Sequence, residues 1–470
     1  MAIDGRTAEK LRGFLRQLGP QARALLTSEL ERGLQRGESM PGSDLILQEL
    51  RNAGPEEGRA DHEGEPARLF FTFLEPFFVE DGAENVHEGR LARAAAAPIW
   101  AWICRDLLPA ESAAYAENVS RLLRDDQQAK ATQAANAFHD LVARSIERML
   151  AAAQGDDKAR RKLSHQVGTL RGIDDIKHVA AILKQRDVLA VLAGKLPPKI
   201  RNLSDELINS ITSFFTSTAG RQRDVYTFGL ALVMSRLVSP WQLIRVGIKG
   251  AESDLPARIA DTPYAPSLTI VLAEIERLVR ELDGDLQRGQ AAAESSLLKD
   301  IHDAARGLRT ELDLGPESAA ARRMAAIRGQ LAVALRPEIE SAPGRVRRLL
   351  RLRPNKDILP GSLLDVVDVA DTEALIEFLG HCRNYANELA INEMTMRSYS
   401  EVQHYLETHV EQLLEGLRMA GKTDRAYRRS QFDAAVRFCA KIFGEEYAET
   451  LAKAADVAVA GERKAAAAKA

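Results

Sequence analysis

Cysteine is nearly absent. Only Cys104, Cys382 and Cys439 occur in 470 residues, an odd and scattered set that excludes a disulfide framework and fits buried thiols in a reducing compartment. A chain this long can bury a substantial core without such staples. An excess of one charge is also lacking. With 64 basic and 67 acidic residues, no global field draws the protein to nucleic acid or membrane, so such contact requires a local patch. Long hydrophobic runs are missing as well. The most membrane-like window, Phe228 to Ile248, is interrupted by Arg236, Pro240 and Arg245. A charge near the centre of a span costs roughly 2.5–3.5 kcal/mol, so the window reads as two buried helices and no transmembrane insertion is expected.

The opening residues alternate charges (Asp4, Arg6, Glu9, Lys10, Arg12) without an apolar run, which argues against a secretory leader and for a cytoplasmic location. There is no Gly-x-Gly-x-x-Gly, Gly-x-Ser-x-Gly, His-Glu-x-x-His, Cys-x-x-Cys or EF-hand loop. No repeat of fixed period and no long alternating stretch suited to strands occurs. The expected fold class is all-α, a multi-helix, bundle-like architecture, and no cofactor is expected.

What is present is concentrated. Of 14 Phe, 8 Tyr and 3 Trp residues, seven lie between Phe70 and Trp102. Burying each large ring is worth roughly 1.5–3 kcal/mol, so this stretch is expected to form a hub on which neighbouring helices pack. The competing reading makes Phe70, Phe73, Phe77, Trp100 and Trp102 an exposed partner-docking surface.

Around the hub the apolar residues recur at helical spacing. Short helices from Thr7, Ala22 and Ser43 and a polar loop over Gly54 to Pro66 are expected first. A break follows at Glu75-Pro76, a loop at Asp81 to Gly89, and then a helix from Leu91 to Leu108. A long Ala-rich helical stretch, 110–153, is polar all round at Asp125 to Gln128, where exposure or a break between two helices is expected. Asp156-Asp157 and Asp174-Asp175 cap the next helices. Leu268, Leu272, Ile275, Val279, Leu282 and Leu286 form a heptad seam that resumes weakly to Leu312, predicting a helical hairpin near 268–312 that turns at Gly284 to Gly289. One long helix, or an intermolecular coiled coil, are the other readings. Pro337 and Pro343-Gly344 are expected to interrupt the chain. The expected regions are 1–153 with the hub at 69–109, 156–342, a basic segment and linker at 343–361, a helical region at 362–460, and a disordered tail at 461–470.

Three patterns carry candidate chemistry. Arg345, Arg347, Arg348, Arg351, Arg353 and Lys356 place six cations and no acid in twelve residues. Guanidinium groups grip phosphates bidentately, so this is the candidate for nucleic acid or anionic lipid, although a solvated helix face whose arginines pair with acids elsewhere is the favoured reading. Gly416 to Thr423 matches Gly-x-x-x-x-Gly-Lys-Thr, in which Gly416, Gly421, Lys422 and Thr423 would cradle phosphates. The residues before it have helical rather than strand spacing, so Gly421 reads as the end of a helix and no nucleotide site is assigned. Glu401 and His404 have Glu-x-x-His spacing, within a cluster of acids and histidines that includes Glu377 and His381; a second copy, Glu84 to His87, falls in a loop, and no metal site is assigned.

These patterns point to a non-enzymatic intracellular helical protein acting through an unidentified protein partner, as scaffold, adaptor or regulatory subunit. The alternatives are a metal-dependent enzyme using Glu and His residues, nucleotide binding at 416–423, or nucleic-acid or anionic-lipid binding at 345–356.

Overall fold

The computed structural model describes residues 46, 61–80, 89–217, 222–288, 294–316 and 318–467. The helices expected before residue 54, the loop at 81–88 and the Glu84 to His87 copy lie outside these residues. The described residues form eighteen α-helices and one pair of two-residue strands. The chain divides into two compact units between Ala273 and Glu274.

Unit 1 contains α1 (Asp61–Thr72), β1 (Phe78–Val79), β2 (Leu91–Ala92), α2 (Ala96–Trp102), α3 (Pro109–Arg124), α4 (Gln128–Ala152) and α5 (Asp157–Val167). It continues with α6 (Ile173–Lys184), α7 (Arg186–Lys195), α8 (Asp205–Thr216), α9 (Arg223–Arg236), α10 (Ile244–Ala251) and α11 (Pro256–Ala260). Helix α12 (Ala265–Gln287) carries the boundary between the units.

The aromatic hub is the interior of unit 1. The Phe70 ring lies 5.1 Å from Phe71, 5.3 Å from Trp100, 5.8 Å from Phe138 and 4.8 Å from His139. These rings come from α1, α2 and α4, so the aromatic group fastens three helices together. Tyr115 of α3 stacks on Phe138 and donates its hydroxyl hydrogen to the Pro66 carbonyl. Phe70, Phe77 and Trp102 are fully buried, and Phe73 and Trp100 are half-buried. The docking reading is therefore corrected for Phe70, Phe77 and Trp102, which lie inside the core, while Phe73 faces His139 and Trp100 packs on Phe70 and Phe138.

The membrane-like window is explained by burial. Helix α9 is enclosed on every side, with Val225, Tyr226, Phe228, Leu230, Ala231, Leu232, Val233 and Met234 all inside. A helix apolar all round belongs at the centre of a large core. No described helix is long and apolar enough to cross a membrane.

Several local expectations change. Helix α1 reaches back to Asp61 through the buried Pro66, into the stretch read as loop. The region 91–108 is not one helix: β2 pairs in parallel with β1, a 3-10 turn follows, and α2 ends in a π-turn at Ile103–Leu107. Arg90 donates to the Pro76 carbonyl at 2.7 Å and Arg93 pairs with Glu75 at 2.6 Å, holding the two extended pieces side by side. Asp156 caps α5 as expected, but α6 starts from Gly172, and Asp175 is buried 3.7 Å from Arg171 instead of capping.

The heptad seam Leu268, Leu272, Ile275, Val279, Leu282 and Leu286 is buried within the single chain, so it offers no face for an intermolecular coiled coil. Helix α12 passes through Gly284 and ends at Gln287; residues 289–293 lie outside the described set.

Unit 2 continues with α13 (Glu294–Glu311), α14 (Ala319–Leu350), α15 (Val366–Leu389), α16 (Asn392–Arg418), α17 (Arg425–Phe443) and α18 (Glu445–Ala467). Helix α14 packs on α15 and α16, α17 packs on both of those, and α18 closes over α16 and α17. Neither Pro337 nor Pro343 interrupts α14, which runs for 32 residues from its Ser318 cap. An interior proline costs about 3 kcal/mol, whereas each fully buried aliphatic side chain returns roughly 1.5–3 kcal/mol. The buried row Leu331, Leu335, Ile339, Ala342, Val346, Leu349 and Leu350 outweighs the two prolines. The expected boundary at 342–343 thus falls inside a helix. The tail is helical as far as Ala467, because alanine, lysine and glutamate are strong helix formers.

Candidate functional site

The basic segment begins as helix and ends as a strap. Helix α14 stops at Leu350, and Pro354 biases Arg353 away from helical geometry. The last carbonyls of a helix have no partner within it. Gln431 of α17, completely buried, supplies one: its side-chain amide donates to Leu349 O at 3.1 Å and to Arg351 O at 2.9 Å. Arg428, one turn earlier, donates to Arg353 O at 2.5 Å and to Asn355 Oδ1 at 3.0 Å. The Arg428 guanidinium is itself buried 3.8 Å from Asp424. Arg353 lies over the Tyr427 ring at 5.5 Å. Further on, Ile358 turns inward, and Ser430 Oγ accepts from the Leu364 N–H at 3.1 Å. Residues 351–365 are therefore pinned along α17 at Tyr427, Arg428, Ser430 and Gln431, and the linker reading of Pro354 to Gly361 is corrected.

The outer side of the strap is apolar and basic. A turn closes between Leu359 O and Ser362 N at 3.1 Å, with Gly361 at φ 76°, a left-handed conformation that follows Pro360 as in a type II turn. Leu359 is 76% exposed, Leu363 62%, Val366 73% and Val367 66%. Helix α15 then starts from Asp365, whose carboxylate accepts from Val367 N at 2.8 Å.

The six candidate cations divide evenly. Arg345 lies 3.7 Å from Glu338, Arg347 2.9 Å from Glu401, and Arg348 3.6 Å from Asp368. Exposed pairs of this kind contribute about 0–1 kcal/mol each, but they compensate the charge. Arg351, Arg353 and Lys356 are exposed and have no carboxylate at ion-pair distance among the described residues. Arg351 sits at the helix end rather than on one helical side with Arg345 and Arg348.

The Gly416 to Thr423 stretch joins two helices. Gly416 is inside α16, where a Cβ would meet Leu352 at 3.7 Å and Arg428 at 3.9 Å. A side chain would be accommodated there at ordinary van der Waals contact, and the glycine does not follow a strand. Gly421 lacks the left-handed conformation expected of a helix-ending glycine, and α16 ends earlier, at Arg418. Lys422 and Thr423 are exposed.

The Glu and His candidates are occupied separately. Glu377 accepts from Lys441 at 2.8 Å, and that bond holds its carboxyl below the usual range. Glu401 lies between Arg347 and Arg397, His381 is half-buried and His404 is exposed. Among the described residues no three His, Cys, Asp or Glu side chains are placed to hold a metal ion together. Burial pushes the Cys439 thiol up to about 12, so it stays protonated.

Sequence reading did not single out Gln431, Arg428 or the exposed Leu359 to Val367 group. A buried glutamine has no periodic signature, and the aliphatic residues resemble any core segment. The available signal was Leu359-Pro360-Gly361, a turn flanked by aliphatics. Replacing Gln431 by Leu should leave two carbonyls unsatisfied and loosen the strap by about 1–3 kcal/mol. Amide hydrogen exchange across residues 353–364 would then accelerate by about tenfold or more; unchanged protection would show that the strap is held some other way. No family model, curated protein or solved structure matches the chain.

Proposed function

We propose that the protein is a docking protein, an adaptor, scaffold or regulatory subunit, that works through contact at the outer face of the strap. The observation that carries this reading is the grouping of Leu359, Leu363, Val366 and Val367, all largely exposed, beside the uncompensated Arg351, Arg353 and Lys356. Contiguous exposed aliphatic surface rimmed by charge marks interaction sites, and here the backbone is fastened so that these side chains cannot fold inward. That Cys104, Cys382 and Cys439 form no disulfide supports a reducing, cytoplasmic setting.

The test is comparative cross-linking in the native cell with the full chain and its Leu359→Ser/Leu363→Ser variant. Both substitutions replace exposed side chains, so stability should change by less than about 0.5 kcal/mol. The reading expects cross-linked assemblies recovered with the unaltered protein and lost with the variant. Identical recovery from both would remove the strap from the function.

A further inference from the structure

The docking reading can be taken to a ligand. We propose that the strap's outer face, from Arg351 to Val367, seats on an anionic lipid bilayer; the inference rests on the docking reading above.

Side-chain type comes first. The exposed aliphatic residues stand on or beside a closed turn and on the first turn of α15. Protein partners are held mainly by Trp, Tyr and Arg anchors in well-packed pockets, with Leu and Val under-represented. The group here is Leu359, Leu363, Val366 and Val367, without an aromatic ring. A bilayer requires no complementary pocket, and aliphatic side chains entering the boundary between headgroups and acyl chains meet a solvent like themselves.

Charge comes second. Arg351, Arg353 and Lys356 precede the turn and carry no ion-pair partner among the described residues. Their long stems can lie along apolar surface while the charged ends reach lipid phosphates. Of the nearby acids, Asp368 faces Arg348 at 3.6 Å, whereas Asp357 and Asp365 are exposed without a cation at ion-pair distance among the described residues, Asp365 capping α15 through Val367 N. Against the three cations they leave the stretch from Arg351 to Val367 with a net charge of +1, which sets its binding below that of a purely basic surface.

Rigidity comes third. Ile358 is buried and the half-buried Leu364 is tied through its N–H to Ser430, so the backbone is held on both sides of the exposed Leu359 and Leu363. Aliphatic side chains held outward in this way need no ordering on contact, which lowers the cost of binding.

The experiment is co-sedimentation of the full chain with vesicles of phosphatidylcholine containing about 30% phosphatidylserine, an anionic surface of the kind that attracts basic segments, and with phosphatidylcholine alone. The expected result is at least about tenfold stronger partitioning to the anionic vesicles at ~0.1 M salt, falling severalfold at ~0.5 M. Arg351→Gln/Arg353→Gln/Lys356→Gln should lower the partition coefficient by roughly a hundredfold, since each cation near an anionic surface contributes about fivefold. Leu359→Ser/Leu363→Ser should lower it by at least about tenfold. Because Arg353 also contacts Tyr427, circular dichroism checks the charge variant; should that variant lose its helices, the serine variant carries the decision alone.

Failure to bind anionic vesicles, equal binding to neutral ones, or full binding by the serine variant overturns the proposal. If vesicles are ignored while cross-linking still depends on Leu359 and Leu363, the lipid inference falls and a protein partner at the same face takes its place. If cross-linking too is indifferent, both readings fall together.

Discussion

Phe70→Ala is expected to destabilise unit 1 by about 3–5 kcal/mol, the usual cost of emptying a buried aromatic site. Four aromatic or imidazole rings lie within 6 Å of the Phe70 ring, and they belong to three helices that cannot all collapse into the space. The measurement is convenient because the three tryptophans, Trp100, Trp102 and Trp241, all belong to unit 1. Their fluorescence reports that unit's urea transition, whose midpoint should fall by on the order of 1–2 M. Phe70→Leu, which keeps much of the volume, should cost less than half as much. A midpoint that moves no further than that of an exposed substitution would refute the assignment of Phe70 as the centre of the hub.

The second large effect is a dependence of stability on pH. His139 is buried, and because a carbonyl can only accept, its Nε2 must carry the hydrogen bonded to Phe70 O at 2.8 Å. Its Nδ1 has no partner. Protonation would place a second N–H, and a charge, in an apolar interior with Arg186 nearby. Burial is the main cause that lowers the imidazole to about 4, Arg186 acts in the same direction, and the Phe70 carbonyl and Asp140 oppose. In the unfolded chain the ring titrates near 6.5. Between these values the unfolded state binds the extra proton. Stability from the neutral ring is therefore complete above about pH 6.5, declines as pH falls toward 4, and levels off below, a total of about 3 kcal/mol.

His139→Gln tests this directly. The amide retains a donor for Phe70 O but does not titrate, so the variant should lose less stability than the unaltered protein between pH 6.5 and 4. Parallel stability curves, followed by tryptophan fluorescence in urea, would dismiss His139 as the cause.

How much of this was legible follows from what each residue pattern encodes. The spacing of Leu268, Leu272, Ile275, Val279, Leu282 and Leu286 identifies one dry helical face wherever the helix packs, and α12 follows it. The density of rings from Phe70 to Trp102 forces burial because no other arrangement removes so much apolar area from water. Pro337 and Pro343 were misleading for the complementary reason. Their cost is local and visible in sequence, whereas the buried face of α14 that offsets it depends on α15 and α16.

The candidate site divides along the same line. Six cations could be counted from the sequence, but which three are compensated could not. Arg347 meets Glu401 across 54 residues of chain, and only the packing of α14 against α16 brings them together. Likewise Ile358 and Leu359 are alike in hydropathy, yet one is buried and the other exposed, because Arg428, Ser430 and Gln431 fix the direction in which the strap faces.

The amino-acid sequence by itself determined the helices and the placement of the aromatic interior, since both are set by short-range periodicity and by apolar area. Tertiary structure alone decided the helical path through two prolines, the pinned strap, and the apolar and basic face it presents. Those features depend on contacts between residues far apart in the chain, and a linear pattern carries no record of which distant partner a side chain will meet.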